Sequence, residues 1–348
     1  MSLFALAALA ALAVGAALLS LNAPRGIESV SRPVAVPPPA PPKAPSPETP
    51  SPETASQETA SQETASQETA SQETDSPEVD SPGESAPVAM ADLEDRLQQI
   101  ASEHAGFYGV AVFDPASGKT ATLNADETFV AASIGKLPAL IALYRFAARG
   151  QVDLEDSVSI QQSDYQTGTG ILQLQPVGYT VTLRRCAYLM INESDNTGWE
   201  MLHRYLGRDN IEAETYAIGA RSTGYWIPNI TTPNDVLLML KKISDPSFTT
   251  EEMSSEMLDA MTNTVNEDRI PQPLPSDVRV AHKFGSYGDS FGDAGIVFYK
   301  APDGGDKRYY LVVLSEGASE YEARATMREM SLATYKAFTE PGDQSTQR

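Results

Sequence analysis

A five-residue repeat occupies much of the first quarter of this chain and restricts where a folded core can lie. Serines recur at every fifth position from Ser46 to Ser81, in units such as SPETA and SQETA, and a proline-rich run at 37–42 precedes them. The repeats contain no aromatic residue and almost no large aliphatic one. Such a segment cannot bury enough apolar surface to offset the entropy of ordering it. We therefore predict that residues 24–88 form a disordered linker and that any folded domain follows it.

The segment before the linker is apolar and uncharged over residues 2–21, SLFALAALAALAVGAALLSL. Its 20 residues can cross a bilayer as a helix, and they exceed the core of a typical signal peptide. No Lys or Arg precedes the segment and Arg25 follows it, so charge does not set its orientation. We predict that residues 1–23 export the chain, either as an uncleaved anchor or as a cleaved signal. This helix would be the only contact with a membrane.

Charge and cysteine content exclude several classes of function. The formal net charge of −22 repels nucleic-acid phosphates, so we expect no nucleic-acid partner. Cys186 is the only cysteine, which leaves no intramolecular disulfide and no thiolate metal cluster. Three histidines without an HExxH pattern offer little to zinc. We expect a monomer that uses neither a cofactor nor a metal.

Residues 89–340 carry the patterns of one folded domain, and residues 341–348 read as a disordered tail. Leu93, Leu97 and Ile100 recur at helical spacing. Helices are predicted at 90–104, 133–149 and 319–338, and strands at 107–114, 119–124, 278–285, 294–300 and 308–317. The middle, 150–265, is mostly helical and loop-like. This order predicts an α+β fold in which the first two strands join the last three across a helical insertion.

Three short motifs in this domain carry residues suited to chemistry. Ser133 and Lys136 lie three residues apart at the start of a predicted helix, so the amine can reach the hydroxyl and, once desolvated, take its proton. The other two are Ser194-Asp195-Asn196, inside an apolar frame, and Lys283-Phe284-Gly285-Ser286, at the end of a predicted strand. Each alone has an ordinary explanation, such as a helix N-cap or a solvated edge lysine.

Together the three motifs resemble the SxxK, SDN and KTG elements of class A β-lactamases and penicillin-binding proteins, in the same order and at similar spacing. Flanking segments strengthen the resemblance: KLP at 136–138, TGTGILQ at 167–173, TTP at 231–233, DRIP at 268–271, LP at 274–275, AHK at 281–283 and DAGIV at 293–297. The resemblance covers about 90–340. It implies a five-stranded antiparallel sheet flanked by helices, an all-helical lobe, and a site in the cleft between the two lobes.

The resemblance also implies catalytic roles for four residues. Ser133 would be the acylated nucleophile, with Lys136 beside it as base or proton relay. Ser194 would pass a proton to the leaving nitrogen. Lys283 would fix the anionic end of the substrate and tune Ser194. The donor would be a small-molecule β-lactam or a peptidoglycan peptide.

The remaining candidate residues would bind substrate. Asn196 would hold the amide side chain of the substrate, and the backbone N–H groups of Ser133 and Ser286 would form the oxyanion hole. Gly285 and Phe284 complete this strand of the site. Phe284 departs from the family pattern, because it replaces the threonine or serine whose hydroxyl normally binds the substrate carboxylate. We therefore expect weak recognition of ordinary penicillins.

A second departure concerns hydrolysis of the acyl-enzyme. Hydrolytic members of the family carry a glutamate in an ExxLN loop, and the interval 197–230 contains no such sequence. Its glutamates, Glu200, Glu212 and Glu214, are in helical context, where solvated helix faces are the ordinary expectation. Glu200, Glu214 and Tyr225 are the candidates for a substitute base. We expect slow deacylation.

Several functions stay open at this point. Within an enzyme acylated on Ser133, the sequence does not separate a β-lactamase from a D,D-peptidase. A sensor or decoy that keeps the acyl group, and a structural envelope protein, are the alternatives outside catalysis. An α/β-hydrolase is disfavoured because Ala131–Gly135 only half matches GxSxG. His203 and His282 show no triad pattern, and His282 should face away from the cleft because it neighbours Lys283 on a strand.

Overall fold

The computed structural model describes residues 88–224, 228–301 and 304–340. The predictions for 1–23 and 341–348, and for all but the last residue of 24–88, therefore lie outside the described residues. Tyr225, a candidate base, also lies outside them. Within the described part of the chain, no helix is both long and apolar enough to cross a membrane.

The domain contains both α-helices and β-strands. The described residues form the α-helices α1 Met90–Glu103, α2 Leu137–Ala148, α3 Leu183–Asn192, α4 Asn196–Leu206, α5 Arg208–Ala217, α6 Pro233–Ile243, α7 Glu251–Ala260 and α8 Glu320–Thr339. The strands are β1 Phe107–Phe113, β2 Thr120–Leu123, β3 Phe129–Val130, β4 Ser157–Ser159, β5 Thr180–Thr182, β6 Ile230–Thr231, β7 Arg279–Tyr287, β8 Ser290–Lys300 and β9 Asp306–Glu316.

The main sheet joins strands from the two ends of the domain. Its order is β2-β1-β9-β8-β7, and every neighbouring pair is antiparallel. Val110 on β1 pairs with Val313 on β9, and Lys283 on β7 pairs with Ala294 on β8. The predicted five-stranded antiparallel sheet, and the α+β class, are confirmed.

Both faces of this sheet are buried. Alternate residues along a strand point to opposite sides, so neighbouring residues belong to different cores. On β9, Leu311 and Val313 belong to the core under α1 and α8, whereas Val312 and Leu314 belong to the core shared with the helical lobe. Helix α2 runs through that second core and is buried at every position from Leu137 to Tyr144. A helix that is apolar all round is one that packs on all sides.

Two local features differ from the sequence-based predictions. The helix expected to start at Ser133 begins instead as a 3₁₀ segment, Ala132–Lys136, and becomes an α-helix at Leu137, with Pro138 in its first turn. Proline is tolerated there because the first-turn N–H groups have no intrahelical partner. The domain also contains two short strand pairs, β3 with β6 and β4 with β5, which the sequence patterns did not indicate.

Candidate active site

The 3₁₀ segment places the side chains of Ser133 and Lys136 on the same side of the helix. A 3₁₀-helix has three residues per turn, so side chains three apart lie directly above one another. Lys136 Nζ is 3.1 Å from Ser133 Oγ. Ala132, immediately before the serine, has a φ of 48°, a left-handed conformation that costs an alanine about 1–2 kcal/mol. Strain of this kind persists only where the surrounding structure holds it, and it is common at functional sites.

Lys136 is fully buried and is surrounded by oxygen atoms. Besides Ser133, its Nζ contacts the Ser194 carbonyl at 2.6 Å, Ser194 Oγ at 3.1 Å and Asn196 Oδ1 at 2.7 Å. The ring of Trp199 lies 5.5 Å away. These contacts bring the first two motifs together around one amine.

The amine of Lys136 is suited to act as a base. Burial lowers its pKa to about 7, although the nearby Asp195 carboxylate opposes this shift. A neutral amine has two N–H groups and one lone pair. The Ser194 carbonyl oxygen and Asn196 Oδ1 can only accept hydrogen bonds, so each accepts from one of the two N–H groups. The lone pair is then left for a hydroxyl proton, and Ser133 is placed to donate one.

The Ser194-Asp195-Asn196 segment is a strained turn at the start of α4. Ser194 has a φ of 53°. The Asp195 carboxylate caps α4 by accepting from Gly198 N at 2.8 Å, and it also accepts from Leu172 N at 2.7 Å. The N-cap explanation is therefore correct for Asp195 alone. Its neighbours Ser194 and Asn196 point instead to Lys136.

The segment 167–172 packs against this turn. Asn196 Nδ2 donates to the Thr167 carbonyl at 3.0 Å, and the Thr169 hydroxyl donates to the Ser194 carbonyl at 2.5 Å. Gly170 has a φ of 101°, and a Cβ there would lie 2.2 Å from the carboxyl carbon of Asp195. The glycine is required by both conformation and space.

Strand β7 supplies Lys283, which reaches the same serine. Lys283 is fully buried, and its Nζ donates to Ser194 Oγ at 3.1 Å and to the Phe284 carbonyl at 3.1 Å. Burial holds the pKa of Lys283 well below its ordinary value, and repulsion from Lys136 acts in the same direction. All four residues predicted to be catalytic thus meet at one point.

Gly285 lets β7 pass close to Ser133. A Cβ at Gly285 would lie 3.0 Å from both Ser133 N and the Ala131 carbonyl. Ser133 and Ser286 both line the cleft beside this contact. The two residues whose N–H groups the resemblance assigns to the oxyanion hole therefore face one cavity.

Phe284 is buried rather than presented to the cleft. It is 8% exposed, and its ring centroid lies 4.2 Å from Lys283 Nζ and 5.7 Å from the guanidinium carbon of Arg269. Arg269 lies behind β7 and donates to the Gly285 and Gly292 carbonyls at 2.6 and 2.5 Å. Sequence reasoning gave Arg269 no role, although it lies in the DRIP segment that carried part of the resemblance.

The cleft is a cavity of about 340 Å³ next to Ser133. The residues that line it are Ala132, Ser133, Gln166, Asn196, Trp199, Glu200, His203, Arg208, Pro228, Asn229, Ser286 and Tyr287. Of the three glutamates in the interval 197–230, only Glu200 lies there. Both of its carboxylate oxygens accept from Arg208, at 2.7 and 3.0 Å.

The other candidate residues lie elsewhere. Glu212 accepts from Tyr216, and Glu214 pairs with Arg149. His282 faces away from the cleft, as predicted, and its Nδ1 is 2.8 Å from Asp293. Across the described ranges, His, Cys, Asp and Glu side chains do not gather in threes that could hold a metal ion.

Fold and site together define an active-serine hydrolase of the β-lactamase type. A family model described as "Beta-lactamase enzyme family" matches residues 92–338. The chain therefore belongs to the β-lactamase enzyme family, and this membership supports hydrolysis of amide bonds by a serine nucleophile.

Individual relatives are distant but match most of the domain. Beta-lactamase AER-1 of Aeromonas hydrophila is 25% identical over 233 residues, which cover 61% of this chain and 75% of that protein. A β-lactamase of Streptomyces lavendulae is 27% identical over 240 residues, covering 62% and 76%. Among solved structures, PBP-A is 27% identical with a TM-score of 0.66, covering 71% of this chain and 96% of its own. A β-lactamase from Sphaerobacter thermophilus, at 24% identity and a TM-score of 0.65, covers 73% and 100% and shows the shared fold.

Proposed function

We propose that this chain is an exported enzyme that is acylated on Ser133 by a β-lactam or a cell-wall peptide amide and that deacylates slowly. The observation that carries the proposal is the position of Lys136 Nζ, 3.1 Å from both Ser133 Oγ and Ser194 Oγ. One buried amine can then take the proton of the nucleophile and pass it toward the leaving group.

The acylation step follows from these contacts. Ser133 Oγ attacks the carbonyl carbon of the amide, and its proton moves to Lys136 Nζ. The negative charge on the carbonyl oxygen is stabilised by backbone N–H groups at Ser133 and Ser286. The C–N bond then breaks, and the leaving nitrogen takes a proton from Ser194 Oγ. Lys136 in turn gives Ser194 Oγ the proton that it took from Ser133. Donation from Lys283 to Ser194 Oγ favours this transfer.

Slow deacylation is supported by the lowered pKa of Glu200, the glutamate that lines the cavity. The nearby His203, whose Nδ1 lies 3.6 Å from Glu200 Oε1, and pairing with Arg208 lower the pKa of Glu200, which makes it a weak base. Penicillin as a donor is supported by the solved structure of a PBP-A point mutant, described as an acyl-enzyme complex with penicillin G. Export is supported by the apolar segment at 2–21.

Intact-mass analysis after exposure to benzylpenicillin tests the proposal. We expect the mass of one ring-opened penicillin on the wild-type protein and none on Ser133→Ala. Gln173→Ala serves as a control, because Gln173 supports the 167–172 segment without touching Lys136, and it should still be labelled. Equal labelling of Ser133→Ala would show that the nucleophile is elsewhere.

A further inference from the structure

The two cations on the β7 side of the cleft are both inaccessible. Lys283 is 0% exposed and Arg269 is 1% exposed. Lys283 donates to Ser194 Oγ and to the Phe284 carbonyl. Arg269 donates to the Gly285 and Gly292 carbonyls and, through Nη2, to Ser286 Oγ at 2.5 Å. Their N–H groups are directed into the protein, so neither residue offers a fork of donors to an anion.

Phe284 covers these cations. Its ring lies against Lys283 Nζ and near the Arg269 guanidinium, at the distances of cation–π contacts. An aromatic ring neither donates a hydrogen bond nor carries charge, and it excludes water from the space it fills. The ring therefore covers one face of each cation, and neither cation lines the cleft.

Carboxylates also lie near Arg269. Those of Asp293 and Asp268 both attract it, with Asp268 Oδ1 3.7 Å from Nε. Asp293 accepts from Ile270 N at 3.0 Å, which fixes its carboxylate. Each carboxylate also pairs with a second cation, Asp293 with His282 and Asp268 with Arg324, so they offset the charge of Arg269 only in part.

The groups that do face the cleft at this end are neutral. Ser286 and Tyr287 are exposed there, and Asn229 lies alongside. Because Ser286 Oγ accepts from Arg269, its own proton is free to point outward, toward a neutral carbonyl. Among the described residues that line the cavity, Arg208 is the only lysine or arginine, and it is paired with Glu200.

We propose that the preferred acyl donor for Ser133 carries no free carboxylate beside its scissile bond, because the two cations nearest β7 are buried against Phe284 and this end of the cleft offers only neutral groups. This inference rests on the proposed function. The substrate class is an internal peptide amide, whose chain continues past the leaving nitrogen with a neutral carbonyl near Ser286. Ser133 Oγ forms the ester bond, the C–N bond breaks, and the new amine leaves with the proton from Ser194. Water later hydrolyses the ester and releases a carboxylic acid.

A matched pair of acylating agents tests this. Benzylpenicillin has a carboxylate on the carbon next to its amide nitrogen, and its methyl ester has none. Acylation of Ser133 in the full chain is followed by intact mass under single-turnover conditions. We expect the methyl ester to react at least as fast as the acid with the wild-type protein. Phe284→Ala, which uncovers Lys283 and Arg269, should shift the acid-to-ester rate ratio toward the acid by about tenfold or more.

Two control variants separate the causes. Phe284→Leu keeps apolar bulk over the cations, so its ratio should stay close to that of the wild type. Ser286→Ala should slow both compounds alike if Ser286 binds a neutral carbonyl. If the wild type reacts with the acid at least tenfold faster than with the ester, this inference is wrong but the proposed function stands. The same holds if the acid-to-ester rate ratio of Phe284→Ala equals that of the wild type. If neither compound acylates Ser133, the proposed function is wrong and this inference falls with it.

Discussion

Lys136 and Lys283 approach the hydroxyl of Ser194 from two different elements, each at 3.1 Å. Two buried ammonium groups this close would repel each other strongly, since little water screens them. Burial lowers the pKa of both amines, and the charge of Lys136 lowers that of Lys283 further. The two amines are therefore not both charged in the resting site. Once Lys136 has taken the proton of Ser133, it lies close enough to pass that proton to Ser194 Oγ.

Acylation should therefore depend on pH through Lys136. Only the neutral amine can take the proton of Ser133, and its pKa is about 7. The rate should be low below pH 6, rise through pH 7 and level off above pH 8, as for one ionisation. Single-turnover acylation by a chromogenic β-lactam across this range measures the midpoint.

The Asp195 carboxylate offers a matched control for this assignment. It opposes the shift in Lys136, so Asp195→Asn should move the midpoint to lower pH. Asparagine can still cap α4 through its carbonyl oxygen. A rate that is flat between pH 5.5 and 9, or a midpoint that Asp195→Asn leaves in place, would mean that Lys136 is not the base.

Two glycines with similar conformations allow a test of the segment behind the turn. Gly170 and Gly178 both have positive φ, 101° and 87°, but a Cβ would strike Asp195 at Gly170 and meet nothing within 4 Å at Gly178. Alanine at either position should lower the free energy of unfolding by about 1 kcal/mol or more, because a side chain disfavours positive φ. Gly170→Ala should lose about 1–3 kcal/mol more by overpacking, and it alone should slow acylation.

Thermal unfolding and single-turnover acylation of the two variants provide the comparison. Loss of stability in Gly170→Ala without loss of acylation rate would mean that the turn at Ser194 is set independently of this segment. Equal losses of stability in the two variants would mean that the segment yields to the new methyl group.

The buried pair of His282 and Asp293 should make stability depend on pH. Burial disfavours the imidazolium, but Asp293 and Glu267 outweigh burial and raise the pKa of His282 to about 9. Because the folded pKa exceeds the ordinary 6.5, the pair's contribution is fully present below pH 6.5 and is lost as pH rises through 9.

The comparison with His282→Gln isolates this contribution. The free energy of unfolding of the wild type minus that of the variant should fall by about 1–3 kcal/mol between pH 6.5 and 9.5. Urea denaturation of both proteins at the two pH values measures it, and subtraction cancels the buried lysines. A difference that does not change with pH would mean that His282 is neutral in the folded protein.

The sequence was sufficient for the main sheet because its signals are strong and regular. Strands β1, β8 and β9 carry apolar runs, and α1 and α8 each show one buried stripe. The resemblance of the three motifs to a known family also predicted which residues meet, which none of the motifs indicates alone. Short pairs such as β4 with β5 are set by tertiary contacts, which local patterns do not contain.

The roles of Arg269 and Phe284 could not be predicted for a different reason. Nothing local indicates that Arg269 would pass behind β7, because its partners are the backbone carbonyls of Gly285 and Gly292, distant in sequence. The sequence shows that Phe284 lacks a hydroxyl. Only the structure shows where its ring lies, over Lys283 and Arg269.

Deacylation should be the slow step of the reaction. Ser133, Lys136 and Ser194 are in place for acylation, whereas Glu200 is a weakened base held by Arg208. Loss of a positioned general base costs about 10²–10⁴ in rate. A chromogenic β-lactam should give a burst equal to the enzyme concentration and then a slow phase, with the adduct lasting minutes by mass. Glu200→Gln and its surface control Glu212→Gln should leave the slow phase within about twofold, since a general base contributes far more than that. Fast turnover without a burst, abolished by Glu200→Gln alone, would instead make Glu200 the base.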